Sequence, residues 1–126
     1  MPRKSRPKDL VWDTTDLYGN YVILGQATWN EHILIEHPAM ANYEALIKSV
    51  VQNPHEIRLS TQSNTALAFI SAAGIGPRPE GIRALVNYAD MFYEKGSGSG
   101  SIVTAYPVDI VKYGTPQLGK TIYKKR

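Results

Sequence analysis

The stretch "EALIKSVVQNPHEIRLS", Glu44 to Ser60, holds the change of period on which the fold turns. In its first half Leu46, Ile47, Val50 and Val51 recur at helical spacing. Tyr43 and Met40 extend the pattern backwards, so one apolar stripe runs along a helix expected over Ala39 to Asn53. Asn53 and Pro54 end it. From Glu56 the period becomes two: "EIRLS" alternates, "TQSN" supplies a turn, and "ALAFISA", "RALVNYADMFYEK" and "SIVTAYPV" follow as strands.

Upstream, "NYVILGQ" (Asn20 to Gln26) is a short β-branched run closed by Gly25 and reads as a strand. Thr28 then sits at an N-cap position with Glu31 three residues on, the capping-box spacing, so a helix is expected to start there. Pro38 disfavours helical geometry at His37 and can open a new helix. Helices followed by strands give an α+β fold, with N-terminal helices packed on a C-terminal antiparallel β-sheet. "AGIGPRPEG" (Ala73 to Gly81) is expected as a surface loop. "GSGSGS" (Gly96 to Ser101), which resembles a synthetic linker, is expected as a flexible hairpin tip.

The chain has 126 residues, no cysteine and a formal net charge of +3. Its length suits one domain, expected over residues 13–126 behind a basic N-terminal tail over residues 1–12. The missing thiols exclude disulfides and thiolate chemistry and accord with a reducing, cytoplasmic setting. No apolar run is long enough to span a bilayer, and "MPRKSRPK" lacks the apolar segment of a signal peptide. Four basic residues lie in the first eight positions and four in the last seven. The remainder holds six basic and eleven acidic residues, a formal −5. The basicity therefore belongs to the ends, either as solvated charge or as salt-sensitive affinity for a polyanion.

Two of the three histidines, His32 and His37, lie five residues apart in "TWNEHILIEHPAM". Five residues leave their rings about 140° apart around a helix, against about 40° for the i, i+4 spacing of a helical metal pair, so no metal site and no cofactor is expected. His32 shares a face with Glu36, which suits a packed, hydrogen-bonded imidazole. His37 falls at the end of the helix, where a cationic ring can donate a proton or hold a phosphate. His55, in a turn, reads as exposed.

Three motifs in order carry a resemblance: Trp29, His32, Ile33, His37, Pro38 and Met40; then Val51, Pro54, Glu56, Ile57 and Ser60; then "IVTAYPV" from Ile102 to Val108. Together they resemble the phage-associated branch of the barnase, EndoU, colicin and RelE-like (BECR-fold) ribonuclease superfamily. The resemblance spans Tyr21 to Tyr123. It implies metal-independent endoribonuclease activity, by 2′-hydroxyl attack, in a prophage or toxin-system protein. RNA would be the substrate, and a cognate antitoxin or immunity protein a partner. On that reading His32, His37, Arg58, Thr104 and Tyr106 are the catalytic candidates, while Ser60 and Lys120 are the substrate-binding ones. The alternative is a catalytically silent RNA-binding or phage accessory module. The Gly/Ser stretch and the long "AGIGPRPEGIR" loop depart from the family's pattern.

Overall fold

The computed structural model describes residues 9–60, 63, 65–71, 80–89, 93–109 and 118–125. The expected "AGIGPRPEG" loop lies outside them up to residue 79, and its last two residues open a strand. Strands run over Leu10–Thr15 (β1), Tyr21–Gly25 (β2), Glu56–Ser60 (β3), Ala66–Ile70 (β4), Glu80–Tyr88 (β5), Ser99–Asp109 (β6) and Leu118–Lys124 (β7). They form one seven-stranded sheet in the order β1-β2-β6-β5-β4-β3-β7.

This corrects the expected architecture. The sheet is mixed, not antiparallel, and it begins before the helices, so a layer of N-terminal helices on a C-terminal sheet is not what forms. Two local readings account for the error. Leu10 to Trp12 belong to β1 and not to the basic tail: Trp12 is buried, and β1 pairs antiparallel with β2. The Gly/Ser stretch is half strand, since Ser99, Gly100 and Ser101 pair in parallel with Tyr21, Val22 and Ile23. Parallel pairing needs a long crossover, and here the helices and three strands supply it.

Gly100 shows why glycine sits in that strand. A Cβ there would come within 2.9 Å of the Tyr88 and Val86 side chains, which fill its side of the core. Gly96 has φ +75°, and a Cβ there would run into the Tyr18 carbonyl. The turn facing it, Asp16 to Asn20, is held by the buried Asp16 carboxylate. That group accepts from the Tyr18 and Asn20 backbone N–H groups (both 2.9 Å), the Asn20 amide (3.0 Å) and the Tyr88 hydroxyl (2.5 Å). Asn20 Oδ1 accepts in turn from Gly98 N at 2.9 Å, tying the first hairpin to the start of β6.

Residues 26–36 form a helix whose middle, Trp29–Ile33, is π-helical. It starts after Gly25, and Thr28 makes no capping bond, so the expected capping box does not form. His37 leaves helical geometry at φ −137°, ψ 68°, as Pro38 requires, and Pro38–Asn42 continues as a 3-10 turn. The second helix, Glu44–Gln52, buries Ile47, Val50 and Val51, with Tyr43 and Leu46 packed at the margin. It lies over β1, β4 and β5. One sheet face meets it with Ile57, Phe69 and Ala84, which occupy paired positions on successive strands. No helix among the described residues is long and apolar enough to cross a membrane.

Candidate phosphate and proton-transfer site

Side chains on neighbouring strands that pair directly share a face. On the face opposite Ala84 and Ala105, Arg83 pairs with Tyr106 and Leu85 with Thr104. Strand β6 loses its β2 partner beyond Ser101, and the helix end arrives beside that open edge. His37 stacks there on Tyr106, with ring centroids 5.1 Å apart and planes at 27°. Its backbone is fixed on both sides: His37 N donates to Ile33 O at 2.7 Å, and its carbonyl accepts from Met40 N at 2.9 Å.

Beneath Tyr106 lies Arg83, only 3% exposed. Its Nη1 donates to the Tyr106 hydroxyl oxygen at 2.9 Å, and its guanidinium carbon lies 5.4 Å from the ring centroid. Among the described residues the other two nitrogens, Nε and Nη2, are buried without a partner, and so is Thr104 Oγ1. Unsatisfied buried groups of this kind are rare and costly, about 1 to 3 kcal/mol each and more for a charge. Three of them lie near a half-buried histidine and tyrosine, which makes this cluster the candidate site. Because the Tyr106 oxygen accepts from Arg83, its own hydrogen is directed away from Arg83. The arrangement sets a buried cation under the Tyr106 hydroxyl, stacks the His37 imidazole on the same ring and buries the Thr104 hydroxyl two residues along the strand.

Three sequence candidates, His37, Thr104 and Tyr106, are thus brought together. The others lie elsewhere. His32 Nδ1 faces Glu36 Oε2 at 3.5 Å with both side chains well exposed, and no contact joins His32 to His37 among the described residues. Arg58 is three strands from β6, about 14 Å at the usual strand spacing. Its Nε donates to Gly119 O at 3.0 Å, with Glu56 Oε2 3.9 Å away. Ser60 pairs with Leu118 on β7, and Lys120 is exposed on that same far strand. Arg83 was missed by the sequence reading. The signal was a lone cation inside the alternating "GIRALVNY", but its meaning depends on which β6 residue it opposes.

A separate cleft of about 480 Å3 lies at the end of the second helix, lined by Ser49, Gln52, His55, Ser71 and Lys125. His55 is half-buried there, not free in a turn, and it donates its backbone N–H to Ile70 O. None of the clustered residues reaches it. No group of three or more histidine or acidic side chains able to hold a metal occurs among the described residues.

No family model, curated protein or solved structure matches the chain. The resemblance to the ribonuclease superfamily therefore rests on its three short motifs alone.

Proposed function

We propose that the chain is an endoribonuclease in which the reacting phosphate lies against His37 and Tyr106. The observation that carries this reading is the stack of His37 on a tyrosine whose oxygen is held by the buried, under-partnered Arg83. His37 takes the proton of the RNA 2′-hydroxyl as its oxygen attacks phosphorus. The bond to the 5′-oxygen breaks, and the imidazolium so formed returns a proton to that oxygen, leaving a 2′,3′-cyclic phosphate and a 5′-hydroxyl. The Tyr106 O–H donates to the developing phosphorane charge, with the Arg83 cation behind it. In this scheme both proton transfers fall to His37, and no step is assigned to a metal.

The test is cleavage of a single-stranded RNA in EDTA, with the product ends identified. His37→Ala is expected to lower the rate by roughly 10²- to 10⁴-fold, the range for loss of an acid–base group. Cleavage of an all-deoxy substrate, or a His37→Ala protein as fast as wild type, overturns the reading. One observation favours a binding module instead: His32 does not join His37, so the cluster holds a single imidazole. In that case wild-type protein binds RNA and leaves it intact.

A further inference from the structure

The face that carries Arg83 continues along β5 through Leu85 to Asn87, and its exposure rises steadily in that direction: Arg83 is buried, Leu85 half-buried and Asn87 exposed. At the open end the face spreads across three strands into a shallow groove of about 380 Å3 lined by Tyr21, Ile23, Asn87, Ser99 and Ser101. Ile23, Ser101 and Asn87 form one cross-strand row, with Asp13 at its end. Tyr21 is 45% exposed, and a hydrogen bond orients its ring. Its hydroxyl donates to Asp13 Oδ2 at 2.8 Å. Asn87, also exposed, is held by a bond of its own: Oδ1 accepts from Thr65 Oγ1 at 2.8 Å, which leaves its amide N–H groups as the side chain's donors.

An exposed aromatic face beside an exposed amide and two serine hydroxyls suits an unstacked nucleobase. The ring stacks and the polar groups meet the base edge. From Asn87 to Arg83 is four residues of strand, about 13 Å, the reach of a short stretch of extended single-stranded RNA. Continuity of one face between the two places makes a single ligand the economical occupant. The described lining of the groove carries no charged side chain and Asp13 at the end of the row is anionic, so the groove suits bases and leaves phosphates to the Arg83 end.

We propose that this groove is the base-recognition subsite for the same single-stranded RNA, and the inference rests on the ribonuclease reading above. Binding is measured by anisotropy with a fully 2′-O-methylated single-stranded oligonucleotide, which cannot react. Tyr21→Ala is expected to weaken binding by roughly 5- to 150-fold, the contribution of one base–aromatic stack. Tyr21→Phe, which keeps the ring, should retain most of the affinity, and melting curves confirm that both variants fold. Asn87→Ala should reduce the spread of affinities across homopolymeric U, C and A probes.

Wild-type affinity in Tyr21→Ala overturns the subsite while leaving the nuclease reading intact if His37→Ala has lost cleavage. Equal affinity for duplex RNA also overturns it, because a duplex offers no free base to stack. Tyr21-dependent binding by a wild-type protein that cuts nothing supports the groove and sinks the nuclease instead.

Discussion

At the scale of single residues, the ribonuclease reading proposed above has the cluster trade stability for chemistry. Among the described residues Arg83 keeps two buried nitrogens without partners, and Thr104 one buried hydroxyl. Replacing a group that has no partner removes a desolvation cost and leaves nothing else orphaned, so Thr104→Val is expected to raise stability by about 1 kcal/mol in urea titration. Arg83→Met should raise it by about 1 to 3 kcal/mol, because the lost bond to Tyr106 is offset by relief of a buried charge. Both should lower cleavage. A large fall in the unfolding midpoint of either variant would show that the groups are bonded in solution to something else. Tyr106→Phe separates the two parts of the His37 contact: the stack remains and the hydroxyl goes, so cleavage should drop, and the midpoint should fall as well because buried Arg83 Nη1 loses its acceptor. The His37 break was legible in the sequence because Pro38 acts on its immediate neighbour. Arg83 was not, because its partner lies 23 positions away and is assigned by strand register.

At the scale of elements, the second helix was readable and the first hairpin was not. Ile47, Val50 and Val51 announce one buried stripe through their own spacing, and all three are buried. Ile47→Ala is expected to cost ~2 to 5 kcal/mol of unfolding free energy, the range for truncating a large aliphatic side chain in a core. The strand at Ser99 is different. Gly100 belongs there because Tyr88 and Val86 occupy the space a side chain would need, and no local pattern in "GSGSGS" records those neighbours. Gly100→Ala should therefore destabilise by ~1 to 3 kcal/mol, as overpacking does, whereas a linker glycine would tolerate the change. Strand β1 hid behind the basic residues that precede it, although "LVWDTT" followed by "DLYGN" carries a strand and turn signal. Asp16 anchors that turn with four accepted hydrogen bonds. Asp16→Ala removes all four of these acceptor contacts at once, so it should cost several times the ~1 kcal/mol of an ordinary hydrogen bond, measured by the same urea titration.

At the scale of the whole molecule, a body with a formal charge of −5 lies between two basic ends. An acidic body repels a polyanion at long range, so affinity for RNA should come disproportionately from the terminal lysines and arginines. Deleting residues 1–8 removes four cations, and for single-stranded nucleic acid each phosphate contact contributes about 0.7 to the slope of log K against log salt. The expected result is weaker binding at low salt and a slope flatter by up to ~3, read by anisotropy across a salt series. An unchanged slope would assign the ends to solvation alone.

The parallel pairing of Tyr21 with Ser99 has a consequence for synthesis on the ribosome. A chain made from its N-terminus presents the first hairpin long before residues 99–101 exist to cover its open edge. That hairpin must wait, unpaired on one side, until residue 101 has been made. Arg83 and Tyr106 also follow His37 by dozens of residues, so a nascent chain carries the histidine before the tyrosine it stacks on and the arginine bonded to that tyrosine. On the proposed ribonuclease reading, the site stays incomplete on the ribosome until Tyr106 has emerged.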